Sequence, residues 1–378
     1  MRVVVYGALD ELPVEYDRLF QAGAARSFFL SRAWFENLAA TAMDSGDRLQ
    51  LIGVEQQSQS LQPKALLVAR TTSGAAGDRA LRRMANFTTL YTTEFDLLID
   101  PDRTGIADIA DAIARFVRDM RPRLPLFEIK ALALEGRSFD AFSTVLRQRG
   151  YATAAYQQFG SWYAQTEDHA YETFAKTLPK GLRQLRKKLD RPDGPHFELV
   201  TGGAELDRAI GIYEQLYVES WKEAEPYPRF VPGLARAAAR EGALRFGLLY
   251  VDGQPAAAQI WIVSAKRATI FKVVHSESYK RLSPGSVLTT RMLEHVIDVD
   301  RVHEVDFGRG DDAYKRMWLP RRREFWAILA YDPLTIGGAL GALRDVVLVP
   351  IVRRARHAAL RIARRDAAGG EDSAHHGG

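Results

Sequence analysis

The chain has 378 residues, 47% of them hydrophobic and 26% charged, and carries a formal net charge of +5. That composition excludes a mainly disordered, collagenous or low-complexity protein, and at roughly 100–200 residues per domain the length predicts two domains. With no cysteine, there can be no disulfide, thiol nucleophile, Cys-ligated zinc or iron–sulfur site, or thioester on the protein itself. The positive excess gathers in two segments and alone points to neither nucleic acid nor membrane.

Met1 to Gly7 opens as a short strand, without the basic head and apolar stretch of a secretory signal. No window reaches the ~18 apolar residues of a membrane span; Leu334 to Val352 comes nearest but carries Arg344, Asp345 and Pro350. The expectation is a cytoplasmic protein. Val3–Tyr6 reads as a strand, and Ser31 to Ala42 as a helix with Trp34, Leu38 and Ala42 on one face and Ser31 as N-cap. Leu49–Gln56 and Ala65–Arg70 predict a hairpin, and Phe95–Ile99 a strand stopped by Asp-Pro. Ala107–Met120 is an amphipathic helix, Leu126–Leu134 a strand, and Phe139–Arg149 a helix closed by Gly150.

From Ala170 the rhythm repeats. Tyr171–Thr177 and Gly181–Leu189 read as helices, Phe197–Thr201 as a strand, and Glu205–Trp221 and Arg229–Glu241 as helices. Leu244–Val251 and Gln254–Val263 form a hairpin about Asp252-Gly253. The strand Thr269–His275, helix Gly285–Val299, and strands Glu304–Phe307 and Arg322–Tyr331 complete the series. Both halves therefore run helix, hairpin, strand, helix, strand, the mark of a duplicated α/β unit. Residues 1–165 and 166–330 are read as the two domains, the first completed by part of the C-terminal segment. Residues 331–365 form a basic helical segment, and 366–378 a disordered tail.

Chemistry concentrates between Leu248 and Trp326. Tyr279-Lys280-Arg281-Leu282-Ser283-Pro284-Gly285-Ser286 joins a strand to a helix start, where free N–H groups and the helix dipole favour an anion. The simpler reading makes Ser283 a cap and Pro284 the first helical residue. Asp306-Phe307-Gly308-Arg309-Gly310-Asp311-Asp312-Ala313-Tyr314-Lys315-Arg316-Met317-Trp318 ends a strand in glycines, carboxylates, a phenol and an ammonium group, the convergence expected of a site.

These motifs, with Val251-Asp252-Gly253-Gln254-Pro255-Ala256-Ala257-Ala258 and the opening Ser27-Phe28-Phe29-Leu30-Ser31-Arg32-Ala33-Trp34, resemble the GNAT superfamily in its FemAB-like branch, including CelD-like polysaccharide-biosynthesis acetyltransferases. The resemblance implies an α/β (α+β) fold of tandem GNAT-like domains, with mixed, mainly antiparallel sheets flanked by helices. It also implies an acyltransferase, specifically an acetyltransferase, that uses acetyl-CoA or another acyl-CoA as co-substrate and no metal. The acceptor implied is a cell-envelope or exopolysaccharide amino-sugar intermediate. By the same resemblance, pantetheine lies along Val273 and Val274, and the pyrophosphate on Arg281, Ser283, Gly285 and Ser286. Pro284 removes one N–H from that loop. Tyr314 falls where the leaving thiolate is protonated, and Lys315 matches the lysine of the FemAB-type motif.

The attacking group needs a base, for which Asp306, Asp311, Asp312 and His275 are candidates, Asp311 being favoured because it follows the strand end. Arg183 and Lys187, on the basic face of the Lys180–Arg191 helix opposite Leu182, Leu185 and Leu189, are candidate contacts for a nucleotide- or lipid-linked acceptor, with Arg309, Asn86 and Tyr91. That face also serves a packed amphipathic helix equally well. Two other functions remain open: a FemAB-type aminoacyltransferase drawing on aminoacyl-tRNA to modify a peptidoglycan precursor, and a non-catalytic module of polysaccharide biosynthesis or export. The seven arginines of 344–365 predict either a helix packed on the first domain or peripheral contact with the inner face of a membrane.

Overall fold

The computed structural model describes residues 1–56, 60–72, 82–100, 105–166, 170–185, 187, 194–220 and 222–351. Arg186, Trp221, most of the arginine-rich segment and the tail 366–378 lie outside these residues. The strands are β1 (Arg2–Tyr6), β2 (Asp47–Gln56), β3 (Gln62–Thr72), β4 (Arg83–Asn86), β5 (Leu98–Ile99), β6 (Leu126–Ala133), β7 (Ala152–Gln165), β8 (His196–Val200), β9 (Leu244–Val251), β10 (Gln254–Ser264), β11 (Arg267–His275), β12 (Glu304–Arg309) and β13 (Arg321–Tyr331). The helices used below are α1 (Asp17–Ala24), α2 (Arg32–Thr41), α3 (Ile106–Asp119), α4 (Arg137–Gln148), α5 (Tyr171–Thr177), α6 (Lys180–Leu185), α7 (Leu206–Val218), α8 (Phe230–Arg240), α9 (Pro284–Asp298), α10 (Lys315–Trp318) and α11 (Ile336–Ala342).

One sheet runs through both halves in the order β1-β2-β3-β4-β6-β13-β7-β12-β11-β10-β9-β8, with β5 beside β3. Among the described residues only β4·β6 and β11·β12 pair in parallel. This is the mixed, mainly antiparallel α/β fold expected from the sequence. The centre shows how the halves join. β7, from the first half, lies between β12 and β13, while β13, from the end of the second half, lies between β7 and β6. Each half thus inserts a strand into the other's ladder.

Local chemistry explains most boundaries. Ser31 accepts the Trp34 N–H (3.1 Å) and starts α2, and Ile109, Ile113 and Val117 bury one face of α3. Asp252 and Gly253 both take positive φ (50° and 74°), the conformation a two-residue hairpin turn requires. Two readings change. The strand expected at Phe95–Ile99 shrinks to Leu98–Ile99, because the Asp96 side chain takes the Leu97 N–H and Phe95 bonds Ala131 from outside the ladder. β7 and α1 carried no assignment in the sequence reading.

Aromatic packing ties the halves together beside the sheet. Trp34, fully buried on α2, meets Phe230 of α8 edge-on at 5.6 Å, and Phe29 stacks on Phe271 of β11 at 6.0 Å. Asn37 of α2 donates to the Phe230 carbonyl (3.2 Å). Such ring pairs add about 0.5–1.5 kcal/mol each beyond their buried area, enough to fix how α2 and α8 meet.

Candidate active site

The site begins with a split in the sheet. β11 and β12 pair only through Arg267/Glu304, Ala268/Val305 and Thr269/Asp306. Beyond that point the ladder stops at Gly308, which takes a positive φ (61°) at the β12 irregularity between Asp306 and Arg309 and packs so closely on β11 that a Cβ there would come within 2.8 Å of the Ile270 carbonyl. The buried Asp306 carboxylate holds this irregularity by accepting the Gly308 N–H (2.6 Å), and the Ser161 hydroxyl of β7 braces both Asp306 and the Gly308 carbonyl. Asp306 is therefore a structural strut.

A cavity of about 830 Å³ fills the split. At one end lies the start of α9, where Ser283, Pro284, Gly285 and Ser286 line the wall. Ser283 sits in the left-handed region (φ 55°) and its side chain does not cap the helix. The first-turn N–H groups and the helix dipole thus face the cavity without a protein anion, an arrangement that suits a phosphate. The lining cation here is Lys280, while Arg281 is exposed and outside the lining. Val273 lines the wall; Val274, with its side chain fully buried on the other face of β11, does not. Strand alternation separates the two.

At the β12 end stand Arg309, Asp312, Tyr314 and Lys315. Lys315 is 5% exposed and donates to the Arg309 carbonyl (2.8 Å), with Asp312 at 3.5 Å, so it pins the loop that presents Tyr314. Burial lowers the Lys315 pKa, opposed by the Asp312 charge. The Tyr314 phenol is pushed up to about 12 by desolvation and by Asp312, and is a neutral proton donor at pH 7. Arg309 stacks over Phe159 at 4.4 Å. Asp311 turns away from the cavity: Arg322 of β13 grips both its oxygens (2.7 and 2.6 Å) and lowers its pKa. A carboxylate held by a guanidinium is a weak base. His275 does line the cavity, its ring close to Gly285.

The acceptor candidates divide. Tyr91 reaches the cavity, and so does Thr93, whose buried hydroxyl has no hydrogen-bond partner among the described residues. Asn86 does not. It is fully buried, donates to the Lys130 carbonyl (2.9 Å) and accepts the Lys130 N–H (2.8 Å), so its amide is spent on the sheet. Arg183 and Lys187 are exposed and outside the lining, while Leu182 and Leu185 of α6 pack inward.

One group was not found from the sequence. Lys272 of β11 pairs with Glu225, which also accepts the Tyr91 hydroxyl; Lys222 donates to the Val273 carbonyl (2.5 Å). Burial would raise the Glu225 pKa, but its bonds from Lys272 and Tyr91 hold it below the ordinary value. Lys222 is pushed down to about 8, first by burial and then by Lys272. A lysine inside the otherwise apolar strand Ile270-Phe271-Lys272-Val273-Val274 was the available signal. Among the described residues, five Lys and Arg side chains line the cavity against one carboxylate, Asp312, so it favours anionic ligands. Among the described residues, no group of three His, Asp or Glu is placed to hold a metal ion.

A parallel strand pair thus ends over a phosphate-ready helix start, with a protonated phenol on the opposite wall. Residues 175–316, which supply most of it, match the family model described as an acetyltransferase (GNAT) domain. The fold of the whole chain is similar to that of FemX, at 8% identity and a TM-score of 0.56, covering 86% of this chain and 97% of that one. It is also similar to a conserved protein of unknown function from Bacteroides thetaiotaomicron VPI-5482 (9% identity, TM-score 0.54, 88% and 100% of the two chains). A tandem GNAT protein from the clavulanic acid biosynthesis pathway aligns at 15% identity and a TM-score of 0.49, over 88% and 99% of the two chains. No curated protein matches the chain in sequence.

Proposed function

We propose that the protein transfers an acyl group, acetyl in the simplest case, from acyl-CoA to an amino or hydroxyl group of an anionic cell-envelope or exopolysaccharide intermediate, such as a nucleotide-linked amino sugar. The observation that carries this reading is the cavity in the β11/β12 split, with the uncapped start of α9 at one end and Tyr314 at the other. Beyond Thr269 no strand among the described residues pairs with the β12-facing edge of β11, so an extended amide-bearing chain can add to it as a strand would. The pyrophosphate then meets the Gly285 and Ser286 N–H groups and Lys280.

The acceptor attacks the thioester carbonyl after losing a proton, the C–S bond breaks as the tetrahedral intermediate collapses, and Tyr314 protonates the departing thiolate. In this reading the acceptor's proton goes to one of two lining groups: the His275 imidazole, or Lys222, whose pKa of about 8 leaves a neutral fraction near neutrality. The five cations supply the anionic preference for both substrates.

The test follows thiol release from acetyl-CoA with a panel of nucleotide-linked amino sugars, beside charged tRNA as the competing donor. Acceptor-dependent thiol release is the expected result. Transfer from aminoacyl-tRNA without thiol release would replace it with the aminoacyltransferase reading, which the fold likeness to FemX keeps in view.

A further inference from the structure

The C-terminal helix is built inside out. Thr335 caps it by accepting the Gly338 N–H (3.0 Å), and it runs from α11 through a wider turn at Leu343–Leu348 to residue 351. Its buried side is made of glycine: a Cβ on Gly338 would lie 2.1 Å from the Asp332 carbonyl, and one on Gly341 would lie 2.4 Å from the Tyr331 ring. Tyr331 also donates to Asp345, which Arg344 pairs at 2.8 Å. The helix therefore sits on the end of β13 through small residues and one polar clasp.

Its large aliphatic residues face outward. Ile336, Leu340, Leu343, Val347 and Ile351 recur every three or four positions and are all exposed, from 45% at Val347 to 85% at Ile336. One face thus carries a continuous apolar stripe, which a protein in water ordinarily buries. The sequence that runs from this helix onward is strongly basic. Residues 344–365 contain seven arginines and a single acid, Asp345, already committed to Tyr331 and Arg344. Among the described residues no helix is long and apolar enough to cross a membrane.

We propose that this face docks on an anionic lipid surface, with the stripe in the headgroup–acyl boundary and the arginines on lipid phosphates. The charge selects this occupant. A second copy packed along the same stripe would bring two arginine-rich segments together, and an RNA would leave the aliphatic stripe in water; an anionic bilayer satisfies both features. The docking stands apart from the transfer reaction and from the cavity.

The experiment is flotation of the full chain with phosphatidylcholine vesicles, with and without about 30 mol% phosphatidylglycerol, an anionic content chosen to set up a surface potential. The chain should float with the anionic vesicles and not with phosphatidylcholine alone, and added salt should release it. The double variant Leu340→Glu/Val347→Glu alters exposed side chains only. It should melt like the parent and float at least tenfold less. Arg353→Gln/Arg354→Gln/Arg356→Gln should weaken flotation in the same direction, which guards against misfolding of the first variant. Failure to float with anionic vesicles, or undiminished flotation of both variants, would overturn the proposal. So would a parent dimer in size-exclusion chromatography that Leu340→Glu dissociates, or a tRNA complex that outcompetes the vesicles.

Discussion

The two halves of the sheet meet the same geometric event and resolve it in opposite ways. Each contains a short parallel pair: β4·β6 pairs through Arg83/Leu126, Met84/Phe127 and Ala85/Glu128, and β11·β12 through three residues as well. Past its pair, the first half is stitched shut. Asn86 bonds both the N–H and the carbonyl of Lys130, replacing two rungs of the missing ladder, and Phe95 bonds Ala131 just beyond. The second half has no such stitch. At Gly308 a positive φ interrupts β12, Asp306 and Ser161 brace the irregularity, and the cavity lies where the pairing has ended. One amide side chain against one glycine of positive φ separates a closed seam from an open one.

Three variants sharpen that contrast. The largest effect belongs to Tyr314→Phe, which keeps the ring and removes only the proton donor. Turnover should fall by about 10²–10⁴-fold with donor Kd nearly unchanged; near-full turnover in single-turnover kinetics would move the acid elsewhere. Next comes Asn86→Ala, which leaves a buried N–H and carbonyl of Lys130 without partners. Denaturant unfolding should show a loss of about 2–3 kcal/mol, while acetyl-CoA affinity of the folded protein stays within twofold. A selective loss of ligand binding instead would place Asn86 in the site after all.

The smallest effect is a pH dependence. The folded protein releases the Lys222 proton near pH 8, and an unfolded chain holds it to the ordinary 10.5. Between these values the unfolded state binds more protons, so folding stability gains as pH rises through that window, and the cost is full below pH 8. Lys222→Met should therefore be relatively most stable below pH 8, with its advantage shrinking by pH 10. If Lys222 is also the base, turnover of the parent rises through about pH 8 and the variant loses that limb. A limb that survives removes Lys222 as the base.

How much of this could be read from residues alone depended on distance along the chain. The β9–β10 hairpin and the β11–α9–β12 succession lie in contiguous motifs whose turn residues and apolar runs speak for themselves, and the structure keeps their bounds within two residues. Asp311 looked like a base because it follows a strand end; that Arg322 of β13 would claim it depends on a pairing across the sheet that no local pattern reveals. Arg281 and Lys280 are neighbours of like charge, and only the turn before α9 decides which one faces the cavity. The Tyr91–Glu225–Lys272 cluster draws on three distant segments. The strand exchange of β7 and β13 was equally hidden, since its partners lie in opposite halves.

The central claim is that the β11/β12 split holds the acyl-CoA donor, and Gly285 offers the most direct access to it. A Cβ there meets only the His275 ring at 3.4 Å and the Val273 side chain at 3.9 Å, so alanine fits, whereas a phenyl ring must occupy the ligand's space beside the α9 N–H groups. Calorimetric titration with acetyl-CoA should give a micromolar Kd, about −8 kcal/mol, for the parent. Gly285→Ala should stay close to that, and Gly285→Phe should weaken binding by at least tenfold while keeping the parent's melting temperature. A folded Gly285→Phe protein that binds acetyl-CoA as tightly as the parent, or a parent that does not bind it, would contradict the account.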